Sequence, residues 1–170
     1  ATSFQMKLQP IEHCHLRECA DVFTSVFSNP PWNEAWSQEI ALSRLKDCYD
    51  TPGSFGIVAI AENKVFGFAI GYAETWYEDK HFYLKEMCVQ STKQRSGIGT
   101  KIIDVLYQDL VSKGVSMIYL LTMRDSPAAA FYEKCGFSNR SRMTMMLKTA
   151  KVQSQVETDI SENSAFTSQE

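Results

Sequence analysis

The sequence lacks three features that would place it in a specialised class. It has no excess of basic residues: 17 Lys and Arg stand against 20 Asp and Glu, a formal net charge of -3, whereas a dedicated nucleic-acid-binding domain is usually strongly basic. No apolar run approaches the roughly 18–20 residues that a membrane-spanning helix needs. Residues 1–5 show no basic start leading into an apolar segment, so we expect no secretory signal. These absences argue against nucleic acid and membrane as partners.

The sequence also lacks a paired set of cysteines. The five cysteines are an odd number at irregular spacings, and three of them fall in segments predicted to be helical. Such a pattern does not indicate a disulfide framework, which secreted domains use and reducing compartments disfavour. We therefore expect a cytoplasmic protein.

What the sequence does contain is enough apolar material for one folded domain. Hydrophobic residues make up 44% and aromatic residues 12% of the 170 positions, which is typical of a chain with a real core. Residues 150–170 are instead rich in Ser, Thr, Gln and Glu. We expect a domain over residues 1–149 and a mobile tail over residues 150–170.

Hydrophobic periodicity and turn signals predict strands and helices in the order β-α-α-β-β-β-α-β-α-β, which indicates an α/β (α+β) domain with helices on the faces of a mixed sheet. A turn at Asn63-Lys64 is expected to join two strands as a hairpin. The predicted elements are a strand ending at Pro10, helices over residues 12–28 and from Ser37, with Ile40, Leu42 and Leu45 inward, strands over 55–61, 65–76 and 82–89, a helix through Lys113, a strand over 117–123, a helix from Pro127 to about Cys135, and a strand over 142–148.

A glycine-containing loop lies between a predicted strand and a predicted helix. Gly97 and Gly99 let the backbone turn sharply and approach a ligand closely. The helix that begins there presents amide N–H groups without partners at the positive end of its dipole, an arrangement that binds phosphate. Lys93, Arg95 and Lys101 add positive charge. The pattern predicts a phosphate site without saying which phosphate.

A second motif gives the loop a context. Residues 131–137 read Phe-Tyr-Glu-Lys-Cys-Gly-Phe, and together with the loop they resemble the two signatures of the GCN5-related N-acetyltransferases. The spacing of one helix and one strand between the motifs is also that of the family. The resemblance implies a mixed, mostly antiparallel sheet of six to seven strands with about four helices, in which the fourth and fifth strands splay apart around the pantetheine arm of the donor.

The resemblance implies acetyl-CoA as acyl donor, and no metal. Backbone groups near residues 87–89 would hold the pantetheine, and the loop would hold the pyrophosphate. Family members often carry Asn where this chain has Asp125, which cannot donate a hydrogen bond as an amide does. The predicted cofactor-binding residues are Met87, Cys88, Val89, Gln94, Arg95, Ser96, Gly97, Ile98, Gly99, Thr100, Asp125 and Tyr132.

Two residues are candidate catalytic groups. Tyr132 matches the tyrosine that many family members place beside the sulfur, where a phenol can protonate the leaving thiolate; the alternative is a core aromatic. Glu86 matches a carboxylate that often faces the acceptor amine and could take its proton; the alternative is an ordinary residue of the sheet. Tyr83 and Glu74 are reserve candidates.

The acceptor is expected to be a cationic primary amine, because acidic residues frame the side away from the basic loop. Trp32 and Trp36 lie in a loop stiffened by Pro30-Pro31, which either walls an acceptor pocket or covers the core. The predicted substrate-binding residues are Trp32, Glu34, Glu74 and Glu86. The expected acceptor is a small molecule or a basic peptide, the protein a monomer or homodimer, and the alternative function a catalytically silent CoA-binding module.

Two weaker patterns have ordinary explanations. His13, Cys14, His15 and Cys19 match no standard zinc spacing, and a helix would point the two histidines apart. Cys88 could be an acyl-accepting nucleophile, but no activating partner is evident. We interpret Cys88 as a packing residue and predict no metal site.

Overall fold

A computed structural model describes residues 5–94 and 96–150. Within these ranges, five strands and four helices form two helical layers around one sheet. The strands are β1 (Lys7–Pro10), β2 (Ser54–Ala61), β3 (Lys64–Trp76), β4 (Asp79–Val89) and β5 (Val115–Tyr119), and the helices are α1 (Leu16–Phe27), α2 (Gln38–Tyr49), α3 (Ile98–Ser112) and α4 (Pro127–Lys134).

The sheet has the simple order β1-β2-β3-β4-β5, antiparallel except between β4 and β5. The β2–β3 hairpin turns at Glu62 and Asn63, whose φ angles of 50° and 59° are left-handed, while Lys64 already pairs with Ala61. The turn predicted at Asn63-Lys64 is therefore one residue too late. Two successive left-handed residues match the twist of the flanking strands, which explains the tight connection.

One helical layer, formed by α1 and α2, covers one face of the sheet. The residues of α1 predicted to face inward, namely Leu16, Ala20, Phe23 and Phe27, are all buried. A short 3-10 helix (His13–His15) precedes α1, so the single helix predicted over residues 12–28 begins in a different form.

Helix α2 begins where the sequence predicts. The Ser37 side chain accepts a hydrogen bond from the Ile40 amide, as an N-cap residue does. The inward face of α2, however, consists of Ala41, Leu45 and Cys48. The prediction that Ile40 points inward is wrong, because Ile40 lies one residue before this face and is 56% exposed.

The other helical layer, formed by α3 and α4, packs on the opposite face. Buried side chains of α3, including Ile102 and Leu106, join Met87 and Val89 of β4 and Tyr132 of α4 in one apolar cluster. Helix α4 begins as predicted, with Ser126 accepting from the Ala129 amide and Pro127 in the first turn. This layer places the glycine loop and the second motif on the same side of the sheet.

The parallel pairing of β4 with β5 covers only the first part of β4. The register ends at Tyr83↔Tyr119, and β5 spans Val115–Tyr119 rather than the predicted residues 117–123. Among the described residues, β4 from Leu84 onward therefore has no partner in β5. The two strands part in the way expected for the fourth and fifth strands.

The predicted last strand over residues 142–148 is wrong, and the described sheet has five strands rather than six to seven. The apolar pattern is present in the sequence, but Met143, Met146 and Leu147 are 74%, 87% and 70% exposed. A strand is stabilised by pairing along its edge, and no described segment pairs with this one. The predicted mobile tail lies, apart from residue 150, outside the described residues.

No helix in the described ranges is both long enough and apolar enough to cross a bilayer.

Candidate active site

The glycine loop turns into α3 at Gly97. This residue is the N-cap of α3 with a left-handed φ of 83°, and it offers no side chain to cap the first amides of the helix. A Cβ added at Gly97 would meet no atom of the described residues within 4 Å. The first turn of α3 contains no acidic residue and contains Lys101. The residues present therefore fit an anionic group in the open space beside these amides.

Two side chains of the loop bond within the protein. Gln94 donates from Nε2 to the Val89 carbonyl oxygen at 3.0 Å, and the Ser96 hydroxyl donates to the Lys93 carbonyl oxygen. These bonds tie the loop to the end of β4 and to its own backbone. Both residues were predicted to bind the donor, and in this structure their side chains shape the loop. Arg95 lies outside the described residues.

Gly99 is the point where α3 and α4 approach each other. A Cβ at Gly99 would lie 3.0 Å from Cζ of Phe131 and 3.5 Å from Cε of Met87. The second glycine of the loop thus permits close packing, whereas the first borders open space. Ile98 is buried and Thr100 is exposed. Of the predicted donor residues in the described part of the loop, Gly97 is best placed to meet phosphate.

Tyr132 is buried to 2% exposure between two aromatic neighbours. Its ring packs edge-on against Phe131 at 5.3 Å and Phe137 at 5.5 Å. It shares an apolar cluster with Met87 and Val89, whose strand borders the opening beyond Tyr83. This packing fixes the Tyr132 ring. A fixed ring is compatible with a packing residue and with a positioned proton donor.

Asp125 precedes the N-cap of α4 in a left-handed conformation, with a φ of 58°. Asn and Asp adopt this conformation more readily than other residues with a Cβ. Asp125 stands where family members often have Asn, and it can adopt the left-handed backbone conformation that Asn also adopts. Its side chain is exposed.

Glu86 lies on the opposite face of the sheet, paired with an arginine. Nε of Arg44 in α2 donates to Oε1 of Glu86 at 2.5 Å, and the two side chains are 41% and 3% exposed. Sequence reasoning missed Arg44. The available signal was its position beside Leu45, at the edge of the face that α2 turns to the sheet.

Burial raises the pKa of the Glu86 carboxyl above its ordinary value, and the Arg44 charge and hydrogen bond oppose that rise. Lys85 also lowers this pKa, and Glu34 raises it. Glu86 is thus a more basic carboxylate than an exposed glutamate, which suits a proton acceptor.

The aromatic loop packs on α1 and reaches toward Arg44. Trp32 packs edge-on against Phe27 and Trp36 against Phe23, with ring centroids 5.3 Å and 5.0 Å apart. The Trp36 indole N–H donates to a carboxylate oxygen of Glu34. The Arg44 guanidinium lies 5.6 Å from the Trp36 ring centroid, a cation–π distance. The loop covers the core and also contacts the partner of Glu86.

Three tyrosines form an aromatic group on the same face of the sheet as Glu86. Tyr83 stacks on Tyr119 with a centroid distance of 5.0 Å and meets Tyr72 edge-on at 5.7 Å. Burial first, then nearby negative groups including Glu74, raise the pKa of Tyr72 and Tyr119. Their phenols therefore stay protonated at neutral pH. Only Tyr83 was singled out from the sequence; the other two needed the strand register to be found.

Cys88 is fully buried among apolar residues. Burial raises its thiol pKa well above the ordinary value, which disfavours the reactive thiolate. This environment fits the interpretation as a packing residue.

Glu12, Cys14 and His15 are the one group of possible metal ligands whose atoms lie close together within the described ranges. Nδ1 of His15 accepts a hydrogen bond from the Glu12 amide at 2.9 Å. Metal binding through that nitrogen would cost this bond, and Glu12 and Cys14 are exposed. The arrangement serves the start of the 3-10 helix.

The candidate site residues lie on the two faces of the sheet. Gly97 and Tyr132 lie on the α3–α4 side, and Glu86 lies on the α1–α2 side. Alternation along β4 separates Glu86 from Met87, as predicted. A donor entering from one side and an acceptor entering from the other could therefore meet beyond Tyr83.

Comparisons with solved structures identify the same fold. An aminoglycoside acetyltransferase, meta-AAC0020, from an uncultured soil metagenomic sample, in complex with sisomicin, is 22% identical with a TM-score of 0.68, covering 86% of this chain and 97% of that one. The aminoglycoside N-acetyltransferase AAC(6')-Iy in complex with CoA is 14% identical with a TM-score of 0.69, covering 87% and 97%. Glucosamine-6-phosphate N-acetyltransferase from Arabidopsis thaliana is 18% identical with a TM-score of 0.61, covering 88% and 99%.

A comparison with curated protein sequences finds no match. The family model described as the acetyltransferase (GNAT) family matches residues 16–137, well over half of the chain, and this span contains both motifs. The chain therefore belongs to the acetyltransferase (GNAT) family.

Proposed function

We propose that this protein transfers an acetyl group from acetyl-CoA to a cationic primary amine. The observation that carries the proposal is the ending of the β4–β5 ladder at Tyr83↔Tyr119. The proposal is supported by a helix start suited to an anion on one side of the sheet and a buried carboxylate on the other. Direct transfer in a ternary complex needs both substrates to reach one point at the same time.

On the donor side, the amides at the start of α3 hold the pyrophosphate next to Gly97. The edge of β4 that β5 does not cover, over Met87, Cys88 and Val89, would run alongside the pantetheine. Acetyl-CoA supplies the activated thioester. The close packing of Gly99 on Phe131 keeps α4, and with it Tyr132, at a fixed distance from the loop.

On the acceptor side, Glu86 takes the proton from the ammonium group, so that the amine nitrogen becomes a nucleophile. The nitrogen then forms a bond to the thioester carbon, and the carbon–sulfur bond breaks. Tyr132 donates its hydroxyl proton to the leaving sulfur and regains one, by way of solvent, from the proton that the new amide nitrogen loses. The products are an N-acetylated acceptor, free CoA and one released proton.

The acidic groups favour a cationic acceptor. Glu34 lies in the aromatic loop and interacts with Glu86, and Glu74 lies on β3 with Tyr72 and interacts with Tyr72 and Tyr119. Carboxylates and tyrosine rings both attract ammonium groups. The structural neighbours described above act on aminoglycosides or an aminosugar phosphate, which supports a small amine over a basic peptide.

The test is release of free thiol from acetyl-CoA with a panel of amines. We expect turnover with polyamines, aminosugars or basic peptides, and little with aromatic amines or acidic amino acids. Gly97→Asp should lower turnover at limiting acetyl-CoA by weakening donor binding, and Glu86→Gln should lower turnover with donor binding intact. CoA binding without thiol release for any amine would favour the alternative, a silent CoA-binding module.

A further inference from the structure

We propose that Arg44 is a positioning residue that holds Glu86 in place as the proton acceptor. Arg44 donates a hydrogen bond to Oε1 of Glu86, stabilises the carboxylate and leaves Oε2 of Glu86 for the acceptor ammonium. This inference rests on the proposed function of Glu86, and its test separates the two.

The first support is that only one of the two Glu86 carboxylate oxygens is hydrogen-bonded to Arg44. Oε1 accepts the 2.5 Å hydrogen bond from Nε of Arg44. Within the described residues, the sole fully buried side-chain polar atom without a hydrogen-bond partner is Oγ1 of Thr24. No other hydrogen bond to Glu86 is present there, so Oε2 is unpaired yet not fully buried. One oxygen is fixed by Arg44, and the other remains available to an incoming ammonium group.

The second support is the way in which Arg44 is itself held. Its guanidinium lies over the Trp36 ring, and Trp36 is fixed by its packing on Phe23 and by its bond to Glu34. A cation with a planar donor group suits this geometry better than lysine, whose ammonium has no plane to lay on the ring. The aromatic loop therefore contributes to the site by orienting the arginine.

The third support is the charge around Glu86. An almost fully buried carboxylate would favour its protonated form without a counter-charge. Arg44 on α2 and Lys85 on β4 lower the pKa of Glu86, and Glu34 in the aromatic loop raises it. The Lys85 ammonium lies 5.4 Å from the Tyr83 ring centroid. The remaining titratable groups that interact with Glu86 are neutral acids with raised pKa values, namely Cys48, Tyr83 and Cys88.

The test measures the protonation of Glu86 directly. In the full chain with ¹³C-labelled glutamate, the carboxyl signal missing from Glu86→Gln identifies Glu86, and its shift is followed against pH. In Arg44→Met the midpoint should rise by about 1–3 pH units, the usual effect of one adjacent opposite charge. Arg44→Lys should give a smaller rise, because it keeps the charge and loses the Nε bond. Lys46→Met, which removes an exposed charge from the same helix, should leave the midpoint unchanged.

The kinetics carry a second signature. The acidic limb of the pH profile of kcat/KM should shift with the midpoint of the Glu86 titration in each variant. At pH values above the limb, Arg44→Met should still be slower by about 10- to 100-fold, because the carboxylate is ionised but no longer oriented. An unchanged midpoint in folded Arg44→Met, or an equal rise in Lys46→Met, would overturn the proposal. The titration needs no acceptor, so it shows whether Arg44 keeps Glu86 ionised even if no amine is acetylated, and the kinetics show whether Arg44 also orients it.

Discussion

Replacing Gly97 tests the donor site, and α3 provides its own matched control. Gly97 and Gly114 flank the two ends of this helix with nearly the same left-handed φ, 83° and 84°, and among the residues that the structure describes neither has an atom within 4 Å of an added Cβ. Aspartate at either position adds the same side chain, the same charge and a similar backbone cost, about 1–2 kcal/mol for a left-handed residue with a Cβ. Only Gly97 borders the proposed phosphate site.

The expected size of the effect follows from Coulomb's law. A carboxylate about 6 Å from one phosphate charge costs about 0.7 kcal/mol at the dielectric constant of water and about 2.8 kcal/mol at an effective value of about 20. These energies correspond to CoA binding that is about 3- to 100-fold weaker. Gly114→Asp should bind CoA as the unmodified protein does.

The assay is isothermal titration of each variant with CoA, at two salt concentrations, after thermal unfolding has shown that both variants are folded. The affinity difference between Gly97→Asp and Gly114→Asp should shrink at high salt, because screening weakens exposed like-charge repulsion. Equal affinities for the two variants at low salt would refute the assignment of the phosphate site to the start of α3.

Two further substitutions test the catalytic groups. Tyr132→Phe keeps the buried ring and removes the hydroxyl, so we expect kcat to fall while the Kd for CoA stays within about twofold, the pattern of an interaction needed mainly in the transition state; unchanged kcat in steady-state assays would reduce Tyr132 to a packing residue. Glu86→Gln should change how stability depends on pH. Because burial raises the Glu86 pKa from 4.5 in the folded state, the unmodified protein should lose stability relative to Glu86→Gln as pH rises from about 4.5 through the raised value. Urea unfolding at a series of pH values measures this difference in the free energy of unfolding. A gain in stability of the unmodified protein relative to Glu86→Gln over that pH range would contradict a buried Glu86 with a raised pKa.

The sequence predicted the local geometry around the glycine loop and the start of α4 better than the surroundings of Glu86, for a physical reason. The glycine loop and the residues around Tyr132 are contiguous in the chain, and their roles depend on local backbone geometry at helix termini. Ser126 and Gly97 therefore fall where their residue types indicate. The surroundings of Glu86 are assembled from α2, β3, β4 and β5, so Arg44, Tyr72 and Tyr119 could be found only from strand register and helix packing.

The incorrect predictions share one cause. The pattern over residues 142–148 is apolar enough for a strand, but pairing depends on a partner that local sequence does not specify. Ile40 was assigned to the inner face of α2 from spacing, and a rotation by one position leaves it exposed while Ala41 is buried. Local pattern gives the type of an element, and tertiary contacts decide its partners and its face.

The most direct measurement of the central claim follows the acetyl group itself. The protein is incubated with acetyl-CoA carrying a deuterated acetyl group and with a mixture of cationic, neutral and acidic amines, and the products are analysed by mass spectrometry. The proposed function predicts that the labelled acetyl group appears on a cationic amine, that free CoA is released in equal amount, and that label accumulates more slowly with Gly97→Asp at limiting acetyl-CoA. Label found only on neutral or acidic amines, or on none of them while CoA binds normally, would contradict it.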